Sequence, residues 1–436
     1  MVNAMKQKLV AFIFLLSITL CLFACTAEPA QYNEPLLQPD QEMSGEPVPD
    51  ESLENDEVSQ EVPVVTEKRV SFFATGDNLI HTGIWRQANR NAGGSGNACM
   101  MNSEYDFAPF YQSLAPMISS ADISFLNQET LVAADESGEP KNYPAFNTPR
   151  ACGDTMVELG FDVVNLANNH MLDMGSSGLK NSIEYWREQS GVVQVGGYLN
   201  EADYNTVRVV ERDGVKIAFL AYAEDANNSG RGMKTPLSSY HNYSSLGLYV
   251  PAMNEAELTR QVESARKLAD FVVVAFHWGV ENSSTVSSVQ ESFVSLCAEL
   301  GVDVVLGSHP HVLQPMKWVA GKTSSGKTLV VYSLGNMISL MESTPSNLLG
   351  GALTLDFVKQ GDLAFVENVV LTPVVTHCNT SYREIHVYLL EDYTEDLYRR
   401  HYIHSHCNTQ LSDFAAIVER EIPQEFLRVA ENETEE

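Results

Sequence analysis

Five times in this chain, a strand-length run of apolar residues ends in side chains of the kind that bind metals. Val70–Ala74 leads into Asp77 and His81, Ile123–Leu126 into Asn127-Gln128-Glu129, and Val163–Leu166 into Asn168-Asn169-His170 and Asp173. Phe271–Ala275 leads into His277 and Glu281, and Val302–Leu306 into Gly307-Ser308-His309-Pro310-His311. Short apolar runs bounded by turn residues read as buried strands. In a parallel α/β sheet the carboxyl ends of the strands share one edge, where ligands bind. The five sets are therefore expected to meet in one cleft. Each alone has an ordinary structural explanation, with Asp77 as a helix cap, Asn169 as a turn residue and His277 as a hydrogen-bonded core histidine. Their joint recurrence points to a site.

Between the strands lie helix-like segments, Phe107–Ser119, Ser177–Gln189, Glu255–Leu268 and Val289–Leu300, with a further strand at Ile217–Ala221. The alternation predicts an α/β domain with a largely parallel sheet over residues 68–375. Arg212-Asp213-Gly214-Val215 carries the Asp-Gly signal of a tight hairpin, and Trp318 to Val375 reads as a second, antiparallel-leaning sheet. Residues 376–436 form an appendage without clear period until the helix-like Asp413–Val429, and Glu431–Glu436 reads as a frayed end.

The amino terminus sets the compartment. Lys6 and Lys8 precede the apolar stretch Leu9–Phe23, which is too short for a comfortable membrane span and reads as a secretory signal. Leu22-Phe23-Ala24-Cys25 resembles a bacterial lipobox, so residues 1–25 are expected to be a lipoprotein signal with Cys25 lipidated. The mature protein would be exported and lipid-anchored on the outer face of the cytoplasmic membrane. Residues 26–67 contain no Lys or Arg and are rich in Pro, Glu, Gln, Asp and Ser, the composition of a disordered, self-repelling tether. A net charge of −30 argues against nucleic acid as a partner, and an anionic substrate needs local cations to bind. Cys99, Cys152, Cys297, Cys378 and Cys407 lack zinc-finger spacing. Outside the cell, Cys99–Cys152 or Cys378–Cys407 bridges are conceivable, with Cys297 reading as a buried free thiol on a helix.

Carboxylate, amide oxygen and imidazole together suit Mn, Fe or Zn rather than a thiolate-selective or all-oxygen site. Gly321-Lys322-Thr323-Ser324-Ser325-Gly326-Lys327-Thr328 fits the string of a phosphate-binding loop. The β-branched run Leu329–Leu334 that follows is strand, so the helix that would aim amides at phosphate is missing. Trp278, Tyr143 and Phe146 are candidate cleft walls and Asn147 and Arg150 candidate anion contacts, although packing and surface roles explain each more simply.

In order, Asp77, Asn127-Gln128-Glu129, Asn168-Asn169-His170 with Asp173, His277-Trp278-Gly279, His309-Pro310-His311 and Tyr332-Ser333-Leu334-Gly335-Asn336 resemble the motifs of the bacterial CapA capsule-synthesis proteins. That family is associated with poly-gamma-glutamate and related to calcineurin-like metallophosphoesterases. The resemblance covers roughly Lys68 to Leu371 and implies a four-layer α/β/β/α metallophosphoesterase-like sandwich, with the carboxyl-terminal appendage outside it. It also implies two divalent metal ions. Carried over by residue, Asp77 and His311 hold one ion and Asn169, His277 and His309 the other. Glu129 bridges them, and His170 protonates the leaving group or clamps the substrate oxyanion. His81, Asp173 and Glu281 are further candidates for metal or substrate contact. Phosphoesterases usually carry Asp-x-His at the first motif, whereas His81 lies four residues after Asp77, and Glu129 stands where a shorter Asp usually bridges.

The function so implied is capsule or poly-gamma-glutamate synthesis, export or attachment, alongside capsule-synthesis membrane proteins. Its chemistry would be attack of a metal-bound hydroxide on a phosphoester or acyl linkage. Two alternatives are a general extracellular metallophosphoesterase and a non-catalytic module that holds an anionic polymer through its metals.

Overall fold

A computed structural model describes residues 66–97, 103–227, 234–236 and 248–428. The expected signal, the Cys25 lipidation site, nearly all of the acidic linker, Cys99 and the end Glu431–Glu436 lie outside these residues. The chain enters through β1 (Glu67–Asn78) and alternates strand and helix through β2 (Ile123–Asn127), β3 (Val163–Asn165) and β4 (Val193–Val195), all parallel. A hairpin of β5 (Arg208–Arg212) and β6 (Val215–Ala223) follows, turning at Asp213-Gly214, where φ is 49° and 74°. After the short pair β7 (Asp225–Asn227) and β8 (Lys234–Pro236), β9 (Phe271–His277) and β10 (Val304–Ser308) run parallel to β6. The rest is β11 (Leu313–Ala320), β12 (Lys327–Leu334), β13 (Asn336–Ile338), β14 (Leu349–Gln360), β15 (Leu363–Cys378) and β16 (Ile385–Leu389).

The strands form two large sheets, β16-β15-β14-β1-β2-β3-β4 with β13 also on β1, and β11-β12-β10-β9-β6-β5. Two expectations change here. The ligand-bearing strands are divided, β1, β2 and β3 in one sheet and β9 and β10 in the other, so the site is built from two sheet edges rather than one. The antiparallel strands after Leu313 do not make a sheet of their own; β11 and β12 extend the second sheet, and β14 to β16 extend the first.

Period-two alternation holds the sheets face to face. Along β9, Phe271, Val273 and Ala275 enter the core between the sheets, while Val272, Val274 and Phe276 enter an outer core. Phe72 meets Phe219 at 6.2 Å and Phe357 at 5.5 Å between ring centroids, and Phe271 meets Phe357 at 4.8 Å. Leu258 and Val262 of helix Glu255–Ala265 and Phe293 and Val294 of helix Ser288–Leu300 cover the outer face of the second sheet. Helices Thr82–Asn91, Arg150–Leu159 and Gly175–Glu188 bury Trp85, Met156 and Trp186 against the first. The result is the four-layer α/β/β/α sandwich.

The helix expected over Phe107–Ser119 is broken into a 3₁₀ turn, Ala108–Tyr111, and a helix, Ala115–Ser120. Pro109 and Pro116 each open their own segment, because proline is at home in a first turn and interrupts an interior. β15 runs through the boundary expected at residue 375, and β16 pairs with it, which draws the carboxyl-terminal stretch into the first sheet. Cys152, Cys297, Cys378 and Cys407 are free thiols, so the Cys378–Cys407 bridge is not made. Cys378 Sγ lies against Asn379 O and Cys407 Sγ against Ser343 O. Among the described residues no helix is long and apolar enough to cross a membrane.

The carboxyl-terminal joint depends on two neutral histidines. His377 Nδ1 lies 2.8 Å from the Tyr393 hydroxyl, and His401 Nδ1 accepts a hydrogen bond from Ile403 N at 2.9 Å while its Nε2 faces Thr376 O. Burial lowers His377 to about 3 and His401 to about 4. The folded state therefore resists protons that the unfolded chain accepts near 6.5, and stability falls as pH drops from about 6.5 toward 4. We expect the urea midpoint of the wild type to fall over that window and that of His377→Phe/His401→Gln to fall less; equal slopes would contradict the assignment.

Candidate metal centre

Asp77, Asn127, His277 and Ser308 are not in loops after their strands but at or next to the last paired positions, where the ladder fixes each Cα. His277 pairs with Ser308 across β9 and β10. Two glycines make the edges approach closely enough. A Cβ on Gly76 would lie 2.1 Å from Gly335 O, and one on Gly307 1.9 Å from Tyr332 O. Beyond Ser308 the chain turns sharply, with His309 at φ 96° and His311 at φ 56° on either side of Pro310. Positive φ costs a residue other than glycine on the order of 1–3 kcal/mol and persists only where the surroundings enforce it. Asp77 Oδ2 accepts from His309 N at 3.3 Å, and Pro310 O accepts from Asn282 N at 2.8 Å.

All six residues expected as ligands come together. Donor atoms of Glu129, His277 and His309 lie within 4.8 Å of one another, as do those of Asp77, Glu129 and His311. Glu129 belongs to both groups. Asn169 Oδ1 is 3.0 Å from His277 Nε2, and none of the six is more than 4% exposed.

The electrostatics of this cluster require positive charge. Neither oxygen of Glu129 has a hydrogen-bond partner, although both are buried. The nitrogens facing it are His311 Nε2 at 3.5 Å and His277 Nε2 at 3.7 Å. Burial pushes the Glu129 carboxyl well above its usual range, and His311 opposes this only in part. Burial works against a charged His311, yet the facing Glu129 and Asp77 carboxylates raise it to about 9. An isolated buried carboxylate is costly, and a divalent cation is the partner that removes the cost.

Tautomers point the same way. Ser308 Oγ donates to Phe276 O at 3.2 Å, so it accepts from His277 Nδ1 at 2.9 Å and leaves the lone pair on His277 Nε2. That lone pair faces Asn169 Oδ1 and His309 Nδ1, each at 3.0 Å, and the Glu129 carboxylate. Ligand-type atoms converging on one point, with Ser308 orienting the His277 ring from behind, match a cation site whose outer hydrogen bonds fix ligand orientation. The donor set fits two divalent ions.

His170 follows Asn169 directly. Its Nδ1 is 2.7 Å from Asp173 Oδ2, which also accepts from Phe146 N at 2.6 Å. The Phe146 ring stands edge-on to His170 at 4.7 Å and to His81 at 5.4 Å. Asp173 thus stands behind His170 and lies outside the converging donor groups. His81 Nδ1 accepts from Leu340 N at 3.2 Å, and burial lowers the ring to about 4, so its δ nitrogen is committed to the backbone. Glu281 adds its charge to the field at Glu129 and His311 but is likewise not among the converging groups.

Other expected contacts lie elsewhere. Trp278 stacks on Phe276 at 4.4 Å in the outer core and donates to Tyr332 O, Arg150 lies over the Tyr185 ring, and Asn147 holds the turn carbonyls Gly138 O and Glu139 O. Tyr143 is exposed. Gly321–Thr328 closes the β11–β12 hairpin, with Gly321 N donating to Gly326 O at 3.0 Å. An amide ladder escaped the sequence reading. Asn165 Nδ2 donates to Asn127 Oδ1 at 2.9 Å, and Asn127 Nδ2 donates to Asp77 Oδ1 at 2.7 Å, which ties three strand ends together. Its signal was Asn closing the apolar pair Val163-Val164. Asn336 Oδ1 likewise faces His311 Nδ1 at 3.1 Å.

Because the facing carboxylates keep His311 protonated, cation binding must displace that proton. Apparent affinity for Mn or Zn is expected to rise with pH toward about 9, by roughly tenfold per pH unit for each proton released. Calorimetry in two buffers of different ionisation enthalpy reads that release; pH-independent binding would contradict it.

Residues 71–341 match the family model described as bacterial capsule synthesis protein PGA_cap. Capsule biosynthesis protein CapA of Bacillus anthracis is 33% identical over 185 residues, 42% of this chain and 41% of that protein. PGA biosynthesis protein CapA of Bacillus subtilis (strain 168) is 27% identical over 230 residues, 52% of this chain and 56% of that protein. The chain thus spans about half the length of these relatives. Among solved structures, a phosphatase of Mycoplasma pneumoniae aligns over 71% of this chain and 95% of its own, with 13% identity and a TM-score of 0.40.

Proposed function

This chain belongs to the PGA_cap family of bacterial capsule synthesis proteins, and on that premise we propose that it acts in making, exporting or attaching a capsule polymer of the polyglutamate kind, as a metal-dependent hydrolase of a phosphoester or acyl linkage. The observation that carries the proposal is the pair of donor groups sharing Glu129, with the His170–Asp173 pair on the stretch that begins at Asn169. Relatives named for capsule and PGA biosynthesis support the capsule part of the reading. Export and lipid anchoring through Cys25 belong to the same proposal, with residues 26–67 as the tether. Capsule-synthesis membrane proteins are its proposed partners.

Asp77 and His311 would hold one divalent ion and Asn169, His277 and His309 the other, with Glu129 between them. When bound, such ions supply Lewis acidity that polarises a phosphoryl or acyl oxygen. The protein's own part is to place and move protons. Asp173 accepts from His170 Nδ1, which fixes the ring's orientation so that Nε2 can deliver a proton to the departing oxygen. Phe146 packs on the His170 edge and limits its rotation.

The test is hydrolysis of an aryl phosphate and of polyglutamate by the purified protein loaded with Mn. His170→Gln is expected to lower kcat by about 10²–10⁴-fold with metal content unchanged, while His309→Ala loses metal and turnover together. Full metal loading with no turnover of either substrate, or an unaffected His170→Gln, would contradict the hydrolase.

A further inference from the structure

In this acidic chain, with 57 acidic and 27 basic residues, the described cations are mostly neutralised by neighbours. Arg69 pairs with Glu67, Asp356 and Glu367, Arg187 and Arg208 with Asp203, Arg266 with Asp303, Lys359 with Asp270 and Arg400 with Glu384. Four cations near one edge of the centre differ. Among the described residues no carboxylate lies within ion-pair distance of Arg86, Arg90, Lys141 or Arg383. Arg86 only overhangs its neighbour Trp85, Arg90 bonds Gln87 and Tyr382 O, and Lys141 meets only the Met174 sulfur.

Local contacts connect these four to one another and to the centre. Arg86 and Arg90 lie one turn apart on helix Thr82–Asn91, which starts directly after His81. The bond from Arg90 to Tyr382 O sets it beside Arg383. Asn142 Oδ1 accepts from Thr82 N at 2.9 Å, which fastens the Lys141 loop to the start of the same helix. Phe146 of that loop touches both His81 and His170. Arg86, Lys141 and Arg383 are exposed. After burial, the charges of Arg383 and Arg86 lower Arg90, so the guanidinium groups sense one another.

We propose that Lys141, Arg86, Arg90 and Arg383 form a cationic track that leads away from the His170 side of the metal centre and holds a strand of a carboxylate-bearing polymer. Like charges gathered without partners on a protein of net charge −30 are complementary to a polyanion, and they overcome locally the repulsion that the whole molecule exerts on it. Several cations gathered together suit a repeating chain rather than a small anion. The polymer's identity rests on the function proposed above; the track itself rests on the arrangement of charges.

The experiment measures binding of a fluorescein-labelled polyglutamate oligomer to the full-length, metal-loaded protein and to Arg86→Gln/Lys141→Gln/Arg383→Gln. Arg90 is left intact because it bonds the backbone. The triple variant is expected to bind about tenfold more weakly or worse, with a shallower salt dependence, while metal content and thermal midpoint match the wild type. Equal affinity and equal salt slope in the two proteins would overturn the track. Absence of wild-type binding to polyglutamate, with track-dependent binding of inorganic polyphosphate, would overturn the carboxylate polymer as its occupant. Wild-type turnover of aryl phosphate is read separately, so a failed hydrolase with track-dependent polyglutamate binding leaves the track supported.

Discussion

Glu129 places a carboxylate in the protein interior with no hydrogen bond to either oxygen, and the surrounding architecture makes sense as the means of holding it there. The group needs cations on two sides. Asp77 and His311 approach from one side, His277 and His309 from the other, and Asn169 faces the latter pair. Apart from His309 and His311, which share one turn, each comes from a different strand end or turn, so no local stretch of sequence could build this environment. Two sheets packed face to face can, because their carboxyl edges meet where the polar side chains have no room to turn away.

The precision of that meeting is set by backbone as much as by ligands. Gly76 and Gly307 bring strands nearer than any Cβ would allow, and the positive φ values at His309 and His311 aim both rings from a three-residue turn. The Asp77, Asn127 and Asn165 chain then locks the first sheet's edge in register. Such rigidity suits a site whose function depends on donors already in position rather than on ones recruited from solvent. His170 and Asp173 form a separate polar pair on the same side chain cluster, oriented through the loop that carries Phe146.

The strands and the residues of the donor cluster were legible because both are written locally, as an apolar run of the right length followed by donor-type side chains. Sheet membership was not, since nothing in Val70–Ala74 or Phe271–Ala275 says which neighbour it pairs with. The same holds for the antiparallel strands, which looked like an independent sheet but extend the two parallel cores. The helix expected over Phe107–Ser119 failed at Pro109 and Pro116, where the apolar count outweighed the breaker signal. Trp278 was offered as a cleft wall but occupies the outer core, because the alternation of β9 sends Phe276 and Trp278 to the same side. Asp173 and His81 carry metal-type side chains whose spacing cannot reveal that their polar atoms are engaged by His170 and the backbone.

The account stands on Glu129 being shared between two cations. Elemental analysis of the purified full-length protein beside Glu129→Gln tests this directly. The account predicts about two divalent transition-metal ions per chain in the wild type and clear loss in the variant, which keeps the shape but removes the charge. A wild-type protein that binds no such metal under loading conditions, or a Glu129→Gln protein that holds the full complement with unchanged affinity, would contradict it.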